Sequence, residues 1–224
     1  MNLLETLIRI YAPFRCLGCE SETDKLICDS CVLHVPRVPS RCYRCLSVTR
    51  DFAVCRACRH KTPLRHVYVA THYHDLPKEL LHAAKYERAR AGLEQMATLC
   101  APLLSLLPPD IRIIPVPTAS SRVRRRGYDQ AIVFARHLAK QNGGDITQVL
   151  QRFGQAHQVG ANRVERIAHL QDALRVVKKP TIQYTHLLLV DDVLTTGATL
   201  ETAARLLKKA GARQVDALVF SQPT

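Results

Sequence analysis

Tryptophan is absent from the 224 residues, and aromatic side chains make up only 5% of them. Ring stacking therefore cannot build the interior. With 47% hydrophobic residues the core has to be aliphatic. Long apolar runs are missing too: stretches such as Leu187–Val190 fall far short of the about 20 residues that span a bilayer as a helix. The N-terminus has no basic n-region and no small-residue cleavage site, and it carries Glu5. That argues against an export signal and for a cytoplasmic protein. Leu3, Leu4, Leu7, Ile8 and Tyr11 fall instead at helical spacing, which predicts a short amphipathic helix over Met1–Phe14. Acidic residues are also in deficit, 19 against 32 Lys and Arg, for a net charge of +13. A chain with this surplus is drawn to polyanions, nucleic acid among them.

Cysteine, by contrast, is concentrated. Eight of the nine cysteines lie between positions 16 and 58 as Cys-x-x-Cys pairs: Cys16/Cys19, Cys28/Cys31, Cys42/Cys45 and Cys55/Cys58. This spacing bends a chain into a knuckle with two thiolates facing one metal, and two knuckles complete a tetrahedral sulfur site. Repeated regular pairs suit structural zinc. Disulfides would need an export signal. A redox Cys-x-x-Cys usually stands alone beside a βαβ unit. Thiolate-only ligation leaves an iron–sulfur cluster as the remaining alternative. Sequential pairing closes shorter loops than a cross-brace of 16/19/42/45 with 28/31/55/58, so loop entropy favours it. Pro36 and Pro39 then form a stiff joint between two ribbons. Two zinc ions on eight thiolates would lower the net charge to about +9. No acid or histidine is placed to activate a zinc-bound water, so both ions read as structural. Cys100, inside the apolar run Met96–Leu107, reads as core.

Beyond about residue 63 strands and helices alternate. Strands are expected at Val67–His72, Ile111–Val116, more weakly Thr147–Gln151, around Leu187–Val190, and Gln214–Phe220. Helices are expected at Asp75–Tyr86, Gly92–Leu107, Tyr128–Gln141 and Thr199–Ala210, the last stopped by Gly211. The pattern predicts an α/β fold with a mainly parallel sheet flanked by helices. The expected organisation is residues 1–62 as an N-terminal helix and double zinc ribbon, and residues 63–224 as the α/β domain.

Residues 187–199 are the most informative. An aliphatic run reads as a strand buried on both faces, and Asp191 and Asp192 end it. Thr195, Thr196, Gly197, Ala198 and Thr199 then lead into a helix. A helix N-terminus behind a small-residue loop is an anion cradle, and the two carboxylates can accept hydrogen bonds from vicinal hydroxyls. A sugar phosphate suits both halves; the alternative is an ordinary βα turn. The segment resembles the phosphoribosyl-pyrophosphate (PRPP) motif of type I phosphoribosyltransferases over its full length. A second loop at that sheet edge, Pro115–Gln130, reads as a mobile basic segment with Arg122, Arg124, Arg125 and Arg126. It could meet pyrophosphate or nucleic acid, or simply be solvated.

Taken together, the cysteine pairs, Leu81–Tyr86, Val116-Pro117, Arg126–Gln130, Gln158, Arg166 and the Asp191–Thr199 motif resemble the ComF family of competence proteins (GntX-like) across essentially the whole chain. Tyr128 and Asp129 stand where that family commonly has Phe and Asn. The resemblance implies a cytoplasmic protein of natural transformation that handles incoming single-stranded DNA, alongside partner proteins of the uptake machinery. It also implies PRPP with magnesium as ligand. Asp191 and Asp192 would hold the ribose hydroxyls, Thr195–Thr199 the 5′-phosphate, and Lys85 and Arg126 further phosphate charge. Arg122, Arg124 and Arg125 would face nucleic acid, with Tyr43, Phe52 and Tyr128 as the candidate exposed rings for base stacking. The alternative is an active PRPP-dependent phosphoribosyltransferase acting on a nucleobase, nucleotide or nucleic-acid acceptor. Only Ser221–Thr224 follow the last expected strand, so any cover over the sugar site is expected from the cysteine-rich segment.

Overall fold

The structure, a computed structural model, describes residues 13–86, 89–108, 111–153, 173–177, 182, 183 and 185–223, with no account of the side chains at 89 and 90. Residues 1–12 of the expected N-terminal helix, and Gln158 and Arg166, lie outside the described residues. Phe14 does not extend that helix but starts a strand, β1 (Phe14–Arg15), paired antiparallel with β2 (Glu22–Thr23).

The cysteine-rich stretch has little regular structure, only these strands, a short helix Asp29–Leu33 and a 3₁₀ turn Arg59–Lys61. It does not stand apart from the body. Leu26, Ile27 and Phe52 share one apolar core with the sheet and its helices. The joint between the ribbons runs along the edge of β3 (Val67–His72): Val38 N–H donates to Ala70 O at 3.5 Å, and Thr71 Oγ1 donates to Pro36 O at 2.9 Å. An edge strand covered in this way is closed to pairing with other chains.

The central sheet contains β3, β4 (Arg112–Pro115), β7 (His186–Val193) and β8 (Gln214–Gln222) in the order β3-β8-β7-β4, all parallel. Its inner strands are aliphatic and buried residue after residue, as a sheet covered on both faces requires. Helices Ala89–Leu104 and Gln130–Asn142 pack together on one face, and helix Ala198–Lys209 covers β7 and β8. Helices Asp75–Tyr86 and Ala89–Leu104 meet at Gly92, where a Cβ would lie 2.7 Å from Ala84 Cα.

Several boundaries differ from expectation. The helix expected at Gly92–Leu107 runs Ala89–Leu104. The segment expected to be a mobile basic loop holds a short helix, Ser120–Arg126, ended by Gly127 at φ 78°. The next helix starts at Gln130 rather than Tyr128, because Asp129 caps it by accepting from Ala131 N–H at 3.0 Å. The weak strand expected at Thr147–Gln151 lies at β5 (Leu150–Arg152) and pairs antiparallel with β6 (Leu174–Val176), outside the main sheet.

Candidate functional site

Parallel strands present their carboxyl ends on one edge of the sheet, where open α/β folds bind ligands. Asp191 and Asp192 sit there, near the end of β7, and the chain then turns through Leu194–Gly197 into helix Ala198–Lys209. Thr195 and Thr196 are exposed, and Ala198 and Thr199 are half-buried. Gly197 makes the turn at φ 75°, a left-handed conformation that costs any other residue. The cap residue Gly197 has no side chain to offer, and Thr196 Oγ1 accepts from Ala198 N–H at 3.4 Å. Past Ala198, the N–H groups of this first turn have no partner within the helix, and the helix dipole favours an anion there.

The acids are engaged with the other predicted residues. Lys85, from the end of helix Asp75–Tyr86, reaches Asp192 Oδ2 at 3.0 Å. Gln130 Nε2 donates to the same oxygen at 3.4 Å, and Arg126 donates to Gln130 Oε1 at 2.7 Å. Asp192 N–H donates to Asp191 Oδ1 at 2.8 Å. Burial of its carboxyl, with the Asp192 charge beside it, pushes Asp191 up to about 8. The structure thus gathers Asp191, Asp192, Lys85 and Arg126 beside the Thr195–Thr199 loop. Gln130, buried and linking Arg126 to Asp192, was not foreseen as a site residue, although it ends the Arg126–Gln130 segment noted in the sequence.

Asp129 is occupied as a helix cap and accepts from Thr118 Oγ1 at 2.9 Å, so its charge serves the backbone. Arg122, Arg124 and Arg125 are exposed on one short helix. The rings expected for stacking are not free. Phe52 is buried in the core, Tyr43 is half-buried with its hydroxyl bonded to Glu201, and Tyr128 donates to Ala84 O at 2.9 Å. Tyr86, next to Lys85, is the exposed ring here, with the Arg126 guanidinium 5.5 Å and that of Arg125 6.0 Å from its centre.

The cysteines form two groups, Cys16/Cys19/Cys28/Cys31 and Cys42/Cys45/Cys55/Cys58, with the ligand atoms of each within 4.8 Å of one another. This is the sequential arrangement; the cross-brace is excluded. Four convergent thiols are the donor set of a tetrahedral zinc site. Backbone N–H groups of Gly18 and Cys28 donate to Cys16 Sγ at 3.4 and 3.3 Å. Such donors outweigh burial and bring Cys16 down to about 6, while the Ser47 hydroxyl and N–H bring Cys45 to about 6. In the same groups Cys31, by its neighbouring sulfurs, and Cys58, by burial and its neighbouring sulfurs, are pushed up to about 12, so a shared cation would be needed to draw off those protons; the four convergent sulfurs of each group are what fit zinc.

Residues 108–222 match the family described as "Phosphoribosyl transferase domain". The chain is 28% identical over 216 residues to Competence protein F of Haemophilus influenzae, covering 90% of this chain and 94% of the relative. It is 32% identical over 202 residues to DNA utilization protein YhgH of Salmonella typhi, covering 84% and 87%. Among solved structures, a purine phosphoribosyltransferase from Pyrococcus horikoshii Ot3 matches at 16% identity and TM-score 0.36, over 58% of this chain and 72% of that one. Among the described residues no helix is long and apolar enough to cross a membrane.

Proposed function

Because the chain belongs to the ComF family of competence proteins and carries their phosphoribosyl transferase domain, we propose that it binds PRPP with magnesium and, in the cytoplasm, handles single-stranded DNA entering during natural transformation. The observation that carries this reading is the juxtaposition of an acid pair with a glycine-led helix start on the carboxyl edge of a parallel sheet. Asp191 and Asp192 accept from the ribose hydroxyls, and the Thr195–Thr199 backbone and hydroxyls receive the 5′-phosphate. Lys85 leaves Asp192 for the pyrophosphate, where Arg126, steadied by Gln130, adds a second positive charge. Magnesium supplies charge neutralisation of the pyrophosphate when bound. Zinc in the two cysteine groups holds the ribbons together, since the segment has too few large apolar residues for a core of its own.

Single-stranded DNA meets the protein at Arg122, Arg124 and Arg125, mainly through its phosphates. Phosphoribosyl transfer to a nucleobase, nucleotide or nucleic-acid acceptor is the second reading. It is favoured by the adjacent carboxylates, whose charge would offset positive charge growing on the ribose as pyrophosphate leaves. Release of pyrophosphate in the presence of an acceptor measures it.

The primary reading is tested by thermal denaturation with magnesium and PRPP. At one hundred times Kd the ligand stabilises by about 2.7 kcal/mol, a rise of roughly 5–10 °C in Tm for a chain of this size. The Asp191→Asn/Asp192→Asn variant should show no rise. A wild type that does not respond to millimolar PRPP refutes the reading.

A further inference from the structure

The second cysteine group touches the phosphate loop. Its first knuckle, Cys42–Cys45, carries Tyr43 and Arg44 onto the opening turn of helix Ala198–Lys209. The Tyr43 ring fills the space beside Gly197, where a Cβ would lie 2.8 Å from Tyr43 Cε2. The Tyr43 hydroxyl donates to Glu201 Oε1 at 2.6 Å and lies 2.7 Å from the Thr62 hydroxyl. Arg44 pairs with the same carboxylate oxygen, and Arg205 Nη2 holds the other at 3.0 Å. Glu201, 7% exposed, is thus held on both oxygens, and its own N–H donates to Gly197 O at 2.9 Å.

This arrangement does more than cover a helix end. The loop must keep Gly197 left-handed for the first-turn N–H groups to converge on one point. A ring pressed against Gly197 and a carboxylate clamped one turn later both oppose relaxation of that shape. Both holding residues lie between two metal-ligating thiols, Cys42 and Cys45, so a metal in that group would fix their backbone. We propose that Tyr43 and Arg44 are positioning residues for the phosphate loop, so that the metal-bearing knuckle sets how tightly the loop grips a sugar phosphate. The proposal rests on the PRPP reading above.

The test uses the full chain with its zinc content measured. PRPP with magnesium is titrated calorimetrically at a temperature where every variant is folded. Tyr43→Ala should weaken binding about five- to tenfold with zinc content unchanged, and Tyr43→Phe, which keeps the ring, by less. Gly143→Ala, a change at a distant helix end, should bind as wild type does. A merely structural role for Tyr43 would lower Tm and leave the affinity of the folded protein unaltered. Amide hydrogen exchange over residues 197–202 without ligand supplies a second readout, and Tyr43→Ala should exchange faster there. Should Tyr43→Ala fail to fold, Tyr43→Phe and Arg44→Gln carry both measurements. Wild-type binding with unchanged affinity and unchanged exchange in these variants overturns the positioning role alone. Absence of wild-type binding overturns the PRPP reading, and the role proposed for the knuckle with it.

Discussion

Gly197→Ala loads two separate costs onto one backbone position, and Gly143 isolates the first of them. Both glycines are left-handed, at φ 75° and 66°. An alanine in that region costs about 1 kcal/mol relative to glycine. At Gly143 a Cβ would meet nothing within 4 Å, so this is the whole effect. At Gly197 the Cβ would sit 2.8 Å from the Tyr43 ring, well inside ordinary contact. Displacing a packed ring or the loop adds about 1–3 kcal/mol. The expected losses in Tm by scanning calorimetry are roughly 2–4 °C for Gly143→Ala and roughly 4–16 °C for Gly197→Ala. Adding Tyr43→Ala removes the clash, so the double variant should be more stable than the sum of the single changes, by at least about 1 kcal/mol of coupling. Equal losses at the two glycines, or additive behaviour in the cycle, would refute the claim that Tyr43 braces the loop.

Three further expectations come from charged groups. Asp216, 1% exposed at the start of β8, accepts from His186 Nε2 at 2.8 Å and His66 Nδ1 at 3.2 Å. Burial alone would raise its pKa, but the two histidines hold it down at about 2. A lowered carboxyl pKa stabilises above the ordinary carboxylate range near pH 4, and the contribution fades as pH falls towards 2. Asp216→Asn should therefore cost about 2 kcal/mol at pH 7 in urea denaturation, with the gap to wild type closing below pH 4. Asp191, held up near 8, accepts from both hydroxyls of a diol, and with full charge, only once it has lost its proton. PRPP affinity should accordingly rise between pH 7 and 8, up to about tenfold per unit, and Asp191→Asn should flatten the rise in calorimetric titrations. In fluorescence titrations of single-stranded DNA against salt, replacing Arg122, Arg124 and Arg125 by Ser should reduce the log–log slope by about 2. An unchanged slope would remove these residues from the DNA surface.

The order of residues by itself determined what depends on neighbours in the chain. Four Cys-x-x-Cys pairs fix knuckle geometry within a few residues. Loop entropy then selects the sequential grouping that the structure shows. An unbroken aliphatic run, two acids, a glycine and a helix-forming stretch likewise encode a strand, a tight turn and the helix that follows, with no help from the rest of the fold. The strand Val67–His72 and the helix Asp75–Tyr86 lie where periodicity placed them, for the same reason.

Tertiary structure alone decided the contacts that cross the chain. Tyr43 and Glu201 are 158 positions apart, and nothing near either one announces the other. Their meeting follows from how the ribbons settle on the sheet's helices. The same holds for Lys85 on Asp192, for Gln130 between Arg126 and the acids, and for the aromatic rings. Phe52 and Tyr43 look like surface residues of a cysteine-rich segment until that segment is seen to share the core of the α/β body. Side chains are buried or exposed by what packs over them, and that packing is a property of the assembled fold rather than of any stretch of sequence.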